Sequence, residues 1–199
     1  MKSDVIHVTS EGVGISEALR QTEAVAAYKE LDKKDSIHLA LLAEEMMGMM
    51  QALTGKHEAD FWIEDEDNTF RLHLLAETKM NSEMRSKLLS ASTSGENIAA
   101  KGVMGKVRDL FNRILEPSEA PLPGAYSSGW VNNASTMGAA AYAKNTATVW
   151  SLNRYKASAQ SGAKEDWDEL EKSIVANIAD EIEIGISDDT VEMIVFKKM

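Results

Sequence analysis

Two adjacent glutamates, Glu44 and Glu45, stand in the middle of the otherwise apolar run SIHLALLAEEMMGMMQAL. A carboxylate pressed against a core has its charged form disfavoured, which raises its pKa toward the range of a general base. The plainer alternative is that one or both point to solvent. A second place for chemistry is GENIAAKGVMGK, where Lys101 and Lys106 flank glycines and backbone amides at a helix start could line an anion site. It is no Walker loop, because Ala100 occupies the first glycine position and Val107 follows the lysine. His7, His38, His57 and His73 show no metal-ligand spacing, and the chain has no cysteine, so a zinc site is not expected. His38 and His73 read as structural residues of packed elements.

The elements that must position these groups follow from apolar spacing. Ile6 and Val8 alternate in a short edge strand, Asp4 to Val8. Helices are expected over residues 16–31 and 34–53, the second carrying Glu44 and Glu45, with Thr54-Gly55-Lys56 as its stop. Phe61 to Leu75 reads as a hairpin turning at Glu66-Asp67-Asn68. Helices follow near 82–90 and 98–115, and Pro117, Pro121 and Pro123 end the latter. The stretch 118–162 is rich in Ala, Ser, Gly and Asn. It reads as a long excursion with some helix between Thr136 and Tyr155, and Trp130, Trp150 and Tyr155 imply that it folds back onto something apolar. A last helix, about 167–180, feeds a hairpin from Ile182 to Phe196. No internal repeat is visible.

At 199 residues one domain, 1–199, is the default. The N-terminal MKSDVIHVTSEG lacks the long apolar core of a signal peptide, and no run reaches the roughly 18 apolar residues of a membrane helix. A cytoplasmic location is expected, with no membrane partner. The net charge of −11 disfavours nucleic acid as a partner. That charge is uneven: residues 120–164 contain no Asp or Glu, only Lys144, Arg154, Lys156 and Lys164, so the remainder carries −15. Eleven methionines, several in the central helix, suit an adaptable core or a groove for a partner helix.

The closing helix and hairpin, EDWDELEKSIVANIADEIEIGISDDTVEMIVFKKM, together with LLAEEMMGMMQ, resemble the Bergerat-fold ATPases, the family of DNA gyrase, sensor histidine kinases and anti-sigma-factor serine kinases. The resemblance covers 5–79 and 167–198 and lies nearest the anti-sigma-factor serine kinases. It implies an α+β, two-layer sandwich: a mixed, mostly antiparallel sheet with helices on one face, and residues 82–165 as an enlarged lid. The family's first motif, E-E-L-x-x-N, maps its base onto Glu45 and its Mg²⁺-binding asparagine onto Met49, whose thioether is a poor ligand for a hard cation. The second, D-x-G-x-G, falls on Ala76, Thr78 and Met80, with Glu77 one residue out of phase. The third, G-L-G-L, falls on Glu169-Leu170-Glu171-Lys172, where carboxylates would repel a triphosphate.

The expectation is therefore a non-catalytic, Bergerat-like regulatory protein that binds a protein partner, as anti-sigma factors do, without cofactor. The alternative is an ATP-binding protein, or an ATP-dependent protein serine kinase or ATPase. It would use Mg²⁺ and a rearranged site drawn from Glu45, Met49, Glu77, Lys101 and Lys106, with Glu45 as base. Homodimerisation stays open.

Overall fold

The computed structural model describes residues 1–53, 55–78, 103–115, 147–161, 173–187 and 189–199. The chain opens with β1 (Ile6–Thr9) and turns into α1 (Ile15–Tyr28) through Gly14. Gly14 has φ 74°, and a Cβ built on it would lie 2.0 Å from the carbonyl oxygen of His7. Only glycine fits this turn. Along α1, Ile15, Ala18, Thr22, Val25 and Ala26 are buried at helical spacing, and the Thr22 hydroxyl donates to the Ala18 carbonyl at 2.9 Å. Asp32 caps α2 (Lys33–Gln51) by accepting from the Asp35 amide at 2.8 Å. Leu39, Leu42, Ala43, Met46, Met47, Met49 and Met50 are all buried, so α2 packs on more than one side.

Next come β2 (Glu58–Glu66) and β3 (Thr69–Glu77), joined through Asp67 and Asn68 at φ 50° and 60°. Two left-handed residues in a two-residue loop match the twist of a hairpin. Then come α3 (Val103–Leu115), β4 (Ala147–Ser151), α4 (Leu152–Ser161), α5 (Ile174–Ile178), β5 (Glu181–Ser187) and β6 (Thr190–Lys198). The strands form one six-stranded sheet in the order β1-β2-β3-β6-β5-β4. Both hairpins belong to it, side by side through β3 and β6.

All five pairings among the described strands are antiparallel, where the family resemblance implies a mixed, mostly antiparallel sheet. Parallel neighbours need long crossovers, whereas four of these strands are two hairpins whose inner strands meet. The buried apolar residues of the five described helices join one cluster with Phe61, Ile63, Leu72, Leu74, Ile184, Met193 and Val195. This is the near face of the sheet. The result is an α+β two-layer sandwich.

The span 82–165, expected as a lid, contributes α3, β4 and α4 to this body; its other residues lie outside the described ones. Residues 147–151 form a strand where some helix is expected. Trp150 pairs with Ile184 and packs into the core, with a bulge between Thr148 and Trp150 breaking the alternation that would betray a strand. The helix expected over 167–180 does not run unbroken. Ser173 is extended (φ −80°, ψ 114°) and caps α5 by accepting from the Ala176 amide at 3.2 Å.

The topology also holds a repeat that the sequence hides. β1-α1-α2-β2-β3 is answered by β4-α4-α5-β5-β6, and the sheet order is symmetric about the β3–β6 seam. A shift of 121 residues carries the pair Ile63–Leu72 onto Ile184–Met193, and Glu66–Thr69 onto Ser187–Thr190. The central pair, His73–Ile194, is itself related by that shift and lies on the pseudo-twofold axis.

Candidate functional site

The residues singled out in the sequence do not converge. Glu44 and Glu45 are exposed on α2, whereas Met49, at 4% exposure, is part of the core. Ala76 is buried on the near face, between Ala59 and Val191. β3 pairs regularly with β6 from Thr69 to Glu77, so no bulge corrects the register. Glu77 therefore lies on the opposite side of the sheet from α2 and Glu45. Thr78 donates to the Ile114 carbonyl at 2.8 Å, tying the end of β3 to α3. On α3, Lys106 hydrogen-bonds the Tyr155 hydroxyl and sits 4.5 Å from the centroid of that ring, joining α3 to α4. Lys101, Glu169, Glu171 and the loop 92–97 lie outside the described residues.

The structure draws attention instead to the other side of the sheet, the far face. No described helix sends a buried apolar side chain there. At its middle Trp62 and His73, cross-strand partners on β2 and β3, stack with centroids 4.6 Å apart and planes within 6°. Both are buried, yet Trp62 is not part of the core cluster. The indole N–H donates to Glu64 Oε1 at 3.0 Å, and Lys2 Nζ lies 3.2 Å from the same oxygen and 4.6 Å from the indole centroid.

His73 is 3% exposed. Its Nδ1 lies 2.7 Å from Glu192 Oε1 on β6; an ionised carboxylate can only accept, so this nitrogen carries the proton. Nε2 has no hydrogen-bond partner and stands 3.8 Å from Glu64 Oε2. The cluster thus links β2, β3 and β6 through one imidazole set between two carboxylates.

Half-buried Leu75, Ile194 and Phe196 continue the apolar ground across β3 and β6. Around them stand Asp60, Glu64, Glu66, Glu181, Glu183 and Glu192, against Lys2, Arg71 and Lys198. Two of these carboxyls are perturbed in opposite senses. Burial pushes Glu64 up, but the Trp62 hydrogen bond, a positive charge on His73 and Lys2 together outweigh it and hold its pKa below the ordinary value. Burial raises Glu183, the neighbouring Glu181 raises it further, and Arg154 offsets only part. Glu181 is occupied as a cap, accepting from the Asn153 amide at 3.0 Å and the Ser151 hydroxyl at 3.2 Å at the start of α4.

Hydrophobic periodicity does not reveal this site, because it reports only the apolar face of a hairpin. The signal was present in the intervening positions, where Trp62 and His73 stand in place of the small polar residues of a solvated face. No group of three or more metal-ligating side chains comes together among the described residues, and no helix among them is long and apolar enough to cross a membrane. No family model, curated protein or solved structure matches the chain.

Proposed function

We propose that this chain is a non-catalytic regulatory protein that acts by binding a protein partner, the reading to which the resemblance to Bergerat-fold anti-sigma factors also leads. The observation that carries it is the far face: a hydrogen-bonded Trp–His–Glu cluster beside half-buried Ile194 and Phe196, on a side of the sheet that no described helix covers. Aromatic and aliphatic groups ringed by charge are the composition of an interaction patch. The separation of Glu45 from Glu77, and the burial of Met49, argue in the same direction, since a nucleotide site needs its base, metal ligand and adenine acceptor around one cleft.

The test has two arms. Immobilised wild-type protein and the Glu45→Ala variant should retain the same partner protein in stoichiometric amount, and Phe196→Glu should lose it. In the second arm, ATP with Mg²⁺ should leave the melting temperature unchanged. A bound ligand at 100 times its Kd would raise stability by about 2.7 kcal/mol. A saturable, Mg²⁺-dependent shift abolished by Glu45→Ala would overturn the proposal in favour of the kinase or ATPase reading.

A further inference from the structure

We propose that the outer side of α2 is a self-association surface, on which a second copy of this chain lays its own α2 antiparallel. This surface lies in the helical layer, away from the far face, and needs no partner there.

Along α2, Lys34, Ile37, Leu41 and Glu44 follow one another at spacings of three, four and three, with Lys33 and Glu45 beside them. Positions so spaced form one stripe along a helix. The buried residues Leu39, Met46 and Met50 lie on the opposite side, so the stripe looks away from the sheet. Ile37 is 48% exposed, and Leu41 is half-buried yet stands outside the core cluster. All four charged residues are exposed.

Those charges are unanswered within one copy. Lys33, Lys34, Glu44 and Glu45 form no ion pair among the described residues, and none has an opposite charge three or four positions away on the helix. Lys34 and Glu44 are about 15 Å apart along the axis at 1.5 Å per residue, too far to meet. Lysines in the first turn also run against the helix dipole, which favours anions there.

A twofold axis crossing the stripe at the level of residue 39 answers all of this. It turns Lys34 onto Glu44 of the second copy, Lys33 onto its Glu45, and Ile37 onto its Leu41. Each relation occurs twice, so four ion pairs flank four apolar side chains. The same rotation sets the glutamates of each copy near the positive start of the opposite helix. A parallel arrangement would place lysine on lysine and glutamate on glutamate, so charge selects the antiparallel one. The surface is self-complementary, as a closed dimer requires. One helix against one helix is a small contact, so association is concentration-dependent and not obligate.

The experiment is sedimentation velocity on the full chain. Wild-type protein should be monomeric when dilute and dimeric as its concentration rises from about 1 to about 500 µM. Two double variants decide the placement. Lys33→Glu with Lys34→Glu makes the stripe wholly acidic, and Glu44→Lys with Glu45→Lys makes it wholly basic. Each alone should weaken dimerisation at least tenfold, because every ion pair becomes a like-charge contact. Mixed in equal amounts, they should form a heterodimer at least as tight as the wild-type dimer. Starting from −11, the first variant carries −15 and the second −7, so overall attraction between them is absent. Phe196→Glu on the far face should change self-association less than twofold. Thermal unfolding establishes that each variant is folded. A wild-type chain that stays monomeric throughout, a dimer indifferent to both double variants, or a mixture that fails to pair would overturn the proposal. Dimerisation lost to Phe196→Glu would place the contact on the far face and overturn it as well.

Discussion

At the scale of single residues, two carboxyls on one face should respond oppositely to pH. The folded-state pKa of Glu64 is depressed, so the stability it contributes is complete above the unfolded value, about 4.3, and is lost as pH falls toward the folded one. Glu64→Gln should therefore destabilise the protein at pH 7 and do much less below about pH 4. Glu183 is raised, so its contribution is complete below the unfolded value and lost as pH rises through the folded one. Glu183→Gln should stabilise at pH 7 and be neutral in acid. Urea unfolding at the two pH values measures both, and matching signs would show that the partners of Glu64 and the burial of Glu183 do not set these shifts. Asp65 offers a second test. It is buried on the near face and ion-paired to Lys29, and the shift of 121 residues places it on Ile186, a core residue. Asp65→Ala should cost about 2–3 kcal/mol by stranding Lys29, whereas Asp65→Ile with Lys29→Met should recover most of that. A double variant no better than the single one in urea unfolding would contradict this account.

At the scale of elements, glycine separates two kinds of position. Gly48 lies on the exposed side of α2, and a Cβ there would meet nothing within 4 Å. Gly48→Ala should raise stability by about 0.5–1 kcal/mol. Gly14→Ala should lower it by at least about 2 kcal/mol, because a left-handed backbone is combined with a clash against the His7 carbonyl. Thermal melts of the pair decide it, and a stabilised Gly14→Ala would mean that the β1–α1 turn can rearrange. Elements with long, regular spacing were legible in the sequence: α1, α2 and both hairpins lie where periodicity puts them. β4 was not, because it has five residues, carries a bulge and sits in an Ala- and Ser-rich stretch. Glu45 drew attention by sequence neighbourhood alone, and its exposure on the solvent side of α2 depends on how the helix is rolled against the sheet, which six flanking methionines and leucines of similar hydropathy do not specify.

At the scale of the molecule, the two halves share one core and should unfold together. Ile63 and Ile184 are related by the pseudo-twofold and both are fully buried. Truncating either to alanine should cost about 2–5 kcal/mol and leave one transition, with far-UV circular dichroism and tryptophan fluorescence coinciding. Two separated transitions would mean that the halves fold independently. The repeat itself was illegible because its two copies share alternation, which any hairpin has, and few identities beyond Ile63 with Ile184 and Thr69 with Thr190. The seam between the halves carries a further consequence for synthesis on the ribosome. β3 emerges early, but its inner edge is completed only by β6, and Glu77 must wait for Thr190, 113 residues later. At roughly 5–20 residues per second the nascent chain holds an unpaired, apolar strand edge for on the order of ten seconds. An edge of that kind recruits strands from other chains. The midline of the fold is thus the place where mispairing threatens during synthesis, for the interval between making β3 and making the strand that closes it.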